Sequence, residues 1–114
     1  MTDCLFCKIV AGDIPAKVLH DEGRTLAFAD IEPQAPTHVL VIPKEHYATA
    51  ADAAAADPAL LGELVTAAQH VAEEAGVAGS GYRLVFNSGR DANQTVPHVH
   101  LHLLGGRALT WPPG

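Results

Sequence analysis

The sequence predicts an α+β fold, a five-stranded antiparallel sheet with one long helix. Two periodicities and one loop length carry that expectation. Apolar residues alternate with period two in five short runs, and they recur at spacings of three and four in one longer run. The loop after Asn87 is too short to hold a helical crossover, so the last strands connect antiparallel.

Lys17 to Asp21 and Thr25 to Ala29 flank the turn signal Glu22-Gly23-Arg24 and read as a hairpin. His38 to Ile42 reads as a third strand, closed by Pro43. Alanine favours helix, but Asp52, Asp57 and Pro58 interrupt the alanine-rich stretch from Ala48 to Ala59. A short helical turn leading into a longer helix is expected there, with Asp57 as its N-cap. From Pro58 to about Ala75, the residues Leu61, Leu64, Val65, Ala68, Val71 and Ala72 make one apolar stripe, and Gly76 stops the helix. Tyr82 to Asn87 and Val99 to Leu104 form the last two strands, joined by the polar loop that runs from Ser88 to Thr95.

A chain of 114 residues fits a single domain, 1–114, that needs no disulfide staple. Its formal charge of −6 argues against a broad basic surface for nucleic-acid backbones, while a single nucleotide needs only a local anion site. Met1-Thr2-Asp3-Cys4 lacks the basic start of a signal peptide, and the apolar runs are far shorter than the roughly 20 residues of a membrane helix. Cytoplasm is therefore the expected compartment, where Cys4 and Cys7 are reduced thiols or metal ligands rather than a structural disulfide.

Alternation along a strand puts His98, His100 and His102 on one face, about 6.6 Å apart for each pair, and Val99, Leu101 and Leu103 on the other. The second set suits the core, leaving three imidazoles in a row on a face open to a ligand. Such a row serves a metal centre, or a nucleophile flanked by phosphate ligands and proton donors. Leu103-Leu104-Gly105-Gly106-Arg107 supplies no acid for an oxygenase-type centre, and a zinc held by all three histidines leaves Cys4 and Cys7 without a role. His20 and His70 read as solvated surface histidines with no assigned function.

His98-Val99-His100-Leu101-His102-Leu103-Leu104 resembles the signature of the histidine-triad (HIT) family. The likeness extends to Cys4 through Val10, Ala27 through Ile31, Pro33 through Lys44, and the ending from Gly105 to Gly114. That ending is similar to the Hint branch rather than the Fhit branch. The resemblance implies a HIT-like sheet with one long helix and a short N-terminal helix, in a homodimer whose two sheets run on continuously and whose Trp111 segment reaches the partner's site. It further implies a purine nucleoside phosphoramidase that cleaves P–N bonds in AMP- or GMP-linked amines. His100 falls on the nucleophile, His102 and His38 on the other histidines around the phosphate, Asn87 on a phosphate-side amide, and Thr95 where a serine is usual. Phe6, Ile9, Phe28 and Ile31 match the apolar base cleft, and Asp30 the acid that holds the ribose hydroxyls. Asn93 stands for a usual glycine and Pro97 for a usual aromatic residue, two departures expected to reshape leaving-group access.

The chemistry suits these residue types. Neutral imidazole is a nucleophile when its other nitrogen keeps the proton, and a backbone carbonyl can fix that tautomer. Phosphoryl transfer asks for positioning and charge compensation, which His102, Asn87 and the Thr95 hydroxyl can supply; no magnesium site is evident. An amine leaving group must gain a proton, with His38 or a triad histidine as candidate sources. Two cysteines spaced as Cys4 and Cys7 can share one metal, given two further ligands, and a redox motif is the alternative. The resemblance implies a structural zinc held by Cys4, Cys7, His46 and His98. A nucleotide- or partner-binding module and a dinucleoside polyphosphate hydrolase are the competing functions.

Overall fold

A computed structural model describes residues 3–114. Its elements are α1 (Leu5–Ala11), β1 (Val18–Glu22), β2 (Thr25–Ala29), β3 (Thr37–Pro43), α2 (Ala50–Ala56), α3 (Pro58–Glu74), β4 (Tyr82–Phe86) and β5 (Leu101–Gly105). The strands form one antiparallel sheet in the order β1-β2-β3-β5-β4. Gly23, with φ +57°, lets the β1–β2 hairpin turn over two residues.

The two faces of the central strands bury different partners. Val39, Val41, Leu101 and Leu103 point at α3 and meet Leu64, Ala68, Val71 and Ala72. Leu40 and Ile42 point the other way, where they pack with Leu26, Phe28 and Phe6 of α1. His38 shares the parity of Leu40 and Ile42, and Leu40 pairs with His102 across the β3–β5 ladder, so both histidines lie on the α1 side. Burial on both faces explains why β3 reads as an almost unbroken apolar run.

Four expectations need correction. The stretch before Pro58 is a separate helix, α2, with Thr49 as its N-cap accepting from the Asp52 amide. Asp57 occupies the N-cap position of α3 but makes no side-chain capping bond; with Glu63 it ion-pairs Arg24. The buried stripe of α3 is Leu60, Leu64, Ala67, Ala68, Val71 and Ala72, whereas Val65 stays 42% exposed. Both stripes fit helical spacing, and the approach angle of the helix on the sheet chose between them. Finally, β5 begins at Leu101 rather than Val99, because Pro97 has no amide for a ladder and the Val99 amide bonds the Tyr47 carbonyl instead. Among the described residues, no helix is long and apolar enough to cross a membrane.

Candidate active site

A cleft of about 700 Å³ opens between α1, the segment after β2, and the loop between β4 and β5. That is an ordinary size for a small-molecule site. Every residue that the family resemblance placed around a nucleotide lines it: Phe6, Ile9, Phe28 and Ile31 with Asp30, Asn87 and Thr95, and the three histidines His38, His100 and His102. Phe6 and Phe28 are buried and meet edge to face, while Ile31 is 94% exposed at the rim.

The row of three imidazoles open to a ligand does not form. Lying outside β5, His98 is released from strand alternation; its ring is fully buried and belongs to a different cluster. The Phe6 ring stands edge-on to both His98 and His100, with centroids 5.9 and 5.0 Å away. Only His100 and His102 of the three face the cleft, their ring centroids 4.9 Å apart.

Hydrogen bonds fix the tautomer of His100. A carbonyl can only accept, so the bond of 2.8 Å between His100 Nδ1 and the His98 carbonyl places the proton on Nδ1 and leaves the lone pair on Nε2. Beside it, burial together with the neighbouring His100 and His38 pushes the His102 pKa down to about 4. Burial likewise lowers His38, against the opposing pull of Asp30. Asp30 serves two neighbours: its Oδ1 accepts the Glu32 amide at 2.8 Å, and its Oδ2 lies 3.4 Å from His38 Nε2.

His98 takes part in a second constellation. Its Nε2–H donates to the Pro43 carbonyl at 2.9 Å, so Nδ1 carries the lone pair. That Nδ1 lies 3.4 Å from Cys4 Sγ, 3.6 Å from Cys7 Sγ and 3.1 Å from His46 Nδ1, and Cys7 Sγ lies 3.4 Å from His46 Nδ1. Cys4, Cys7, His46 and His98 thus converge their ligand atoms as a cluster able to hold a metal ion. The three spacings that involve a sulfur, 3.4–3.6 Å, fall within the edges of about 3.3–3.8 Å that a tetrahedral ion with bonds of about 2.0–2.3 Å requires, and the His46–His98 spacing of 3.1 Å is slightly shorter. A ligating histidine with its outer N–H on a backbone carbonyl is the usual support for such a site.

Sequence reasoning missed the residues that hold the walls. The Gln94 side chain accepts from the Gly89 amide and donates to the Ala48 and Val96 carbonyls, fastening the loop between β4 and β5. Gln34 lines the cleft, and Arg107 donates to its carbonyl. A polar side chain that bonds backbone leaves no periodic trace in a sequence, so neither stood out. Asn93 lines the cleft in a left-handed conformation, φ +62°, which asparagine tolerates where glycine is usual. Pro97 does not line the cleft; it borders a shallow groove beside Cys4 and His46. His20 and His70 are not both solvated: His20 is half-buried, and the two rings stack with centroids 5.8 Å apart.

Known proteins are similar to this chain in sequence and fold. The HIT domain family matches residues 11–109. An uncharacterized HIT-like protein of Synechococcus elongatus is 47% identical, covering 98% of this chain and 97% of its own. The purine nucleoside phosphoramidase of Escherichia coli K12 is 43% identical, covering 94% of this chain and 90% of its own. A crystal structure of a HIT family hydrolase from Legionella pneumophila superposes with a TM-score of 0.94 at 53% identity, covering 98% of this chain and all of that one. On sequence and fold, the chain belongs to the HIT domain family.

Proposed function

We propose that this protein hydrolyses purine nucleoside 5′-phosphoramidates, AMP- or GMP-linked amines, through a covalent nucleotidyl-His100 intermediate. The observation that carries this reading is the His100 tautomer, since the bond from Nδ1–H to the His98 carbonyl leaves Nε2 as a lone pair at the cleft. The likeness to a phosphoramidase of E. coli supports the substrate class.

In this reading the purine lies among Phe6, Ile9, Phe28 and Ile31, and Asp30 holds the ribose hydroxyls. Asn87, the Thr95 hydroxyl, His38 and His102 surround the phosphate. As His100 Nε2 bonds to phosphorus, the P–N bond breaks and its electron pair leaves with the nitrogen. Water then hydrolyses the nucleotidyl-histidine. Fixed donors around a phosphoryl group suffice for much of the barrier lowering, because the charge spreads over its oxygens. A structural zinc on Cys4, Cys7, His46 and His98 would tie α1 to the segment that carries the nucleophile. The working form in this reading is a cytoplasmic homodimer whose two sheets run on continuously, with the exposed Trp111 segment at the partner's site.

Incubation with an AMP-linked amine, followed by acid quench and mass spectrometry, tests the reading. A nucleotide adduct on His100, absent together with turnover in His100→Ala, is expected. No turnover, with His100→Ala indistinguishable from wild type, would leave the cleft a binding module. Faster cleavage of a P–O–P substrate would make the protein a dinucleoside polyphosphate hydrolase.

A further inference from the structure

We propose that the backbone amide of Gln34 is a positioning group that, acting through His38, fixes His102 as a neutral Nε2–H donor aimed at a phosphoryl oxygen. His102 is then no source of the leaving-group proton. The inference deepens the phosphoramidase reading and rests on it for what the N–H faces.

The chain of bonds runs in one direction. The Gln34 amide donates to His38 Nδ1 at 3.0 Å, and because an amide nitrogen cannot accept, that Nδ1 must be a lone pair. Neutral His38 therefore carries its proton on Nε2. That nitrogen is 2.9 Å from His102 Nδ1, which must accept it. One proton remains for the neutral His102 ring, and it sits on Nε2, a buried atom with no hydrogen-bond partner among the described residues. A buried N–H without a partner is costly, and a ligand oxygen removes that cost.

Two backbone groups thus set adjacent imidazoles in opposite tautomers. The His98 carbonyl makes His100 present a lone pair, and the Gln34 amide makes His102 present an N–H. Both histidines beside the phosphate are held neutral by burial, so neither has a proton to give without becoming an imidazolate. As the His100–phosphorus bond forms and the P–N bond breaks, the nitrogen that keeps the electron pair takes its proton from solvent at the open cleft.

The same lock disfavours an intruding metal. Asp30, His38 and His102 bring three ligand atoms together, with separations of 3.4 and 2.9 Å along the trio. Ligation by His38 Nε2 would move its proton to Nδ1, head-on against the Gln34 amide. The loop that holds this amide is pinned on both sides, by Asp30 Oδ1 on the Glu32 amide and by Arg107 on the Gln34 carbonyl.

Nitrogen-15 NMR of the full chain, labelled at histidine and recorded near pH 7 without substrate, reads the tautomers directly. His38 and His102 should each show Nε2 protonated and Nδ1 unprotonated; a proton on Nδ1 of either ring, or on both nitrogens of His102, overturns the proposal. Gln34→Ala keeps the amide and should keep both tautomers, whereas Gln34→Pro removes the N–H and should let His38 populate the Nδ1–H form. If Gln34→Pro does not fold, Arg107→Ala loosens the same loop and should broaden both tautomer signals; unchanged signals in whichever variant folds count against the amide. Adding AMP should shift the His102 Nε2 resonance while its proton stays. Locked tautomers with no response to AMP would instead overturn the nucleotide reading alone.

Discussion

His102 shows how much one buried imidazole asks of its surroundings. Its folded pKa of about 4 lies below the ordinary 6.5, chiefly through burial and then through His100 and His38. Between these values the unfolded chain binds more protons than the folded one, so stability rises with pH across the window. The contribution is fully present above about pH 6.5 and is lost as the pH falls toward 4; burial of His38 acts in the same direction. Urea titrations at pH 7 and pH 5 should therefore show wild type losing more stability on acidification than His102→Gln, by on the order of 1–2 kcal/mol. Equal losses would mean that His102 titrates normally in the fold. None of this was visible in the sequence, whose likeness to the HIT family pointed to the residues that line the cleft but not to which ring nitrogens face a carbonyl, an amide or each other.

Among the elements, β5 carries the tightest constraint. Gly105 pairs with Thr37 on one side and Tyr82 on the other, and a Cβ there would lie 3.0 Å from Val77 Cβ and 3.2 Å from both Val77 Cγ atoms. With both flanks hydrogen-bonded, the strand cannot move aside. Gly105→Ala should cost about 1–3 kcal/mol of stability in thermal or urea melts, and Val77→Ala in the same chain should recover part of that loss. The double-mutant cycle reads the clash; strict additivity of the two changes would remove it as the cause. Strands and the long helix were legible because hydrophobic alternation and helical spacing are local patterns. The start of β5 was not, because the ladder ends where Pro97 and the Tyr47 carbonyl divert the chain, and Tyr47 lies 52 residues before Val99.

At the scale of the whole molecule, the Cys4, Cys7, His46 and His98 cluster joins segments far apart in the chain: the start of α1, the residues after β3 and the approach to β5. Its His98 also supplies the carbonyl that orients His100, so holding the cluster and aiming that imidazole share one residue. Plasma emission analysis should find one zinc per chain, reduced in Cys7→Ser. Prolonged chelation should lower the melting temperature by roughly 10 °C, of order 3 kcal/mol, and weaken turnover. A protein purified without stoichiometric metal, and unmoved by chelators, would sink the zinc assignment.

The sequence by itself determined the strand and helix pattern, the identity of the residues that gather at the cleft, and the Cys and His types that meet at the second cluster. The first follows from periodicity and side-chain chemistry, whereas the cleft residues and the two histidines of the second cluster follow from the resemblance to the HIT family. Tertiary structure decided the division of labour among the histidines. It buried His98 and turned it to the thiols, gave His100 a carbonyl and His38 an amide, and set Asp30 beside His38. Proton positions and burial depend on groups brought together from opposite ends of the chain, so no local pattern could encode them.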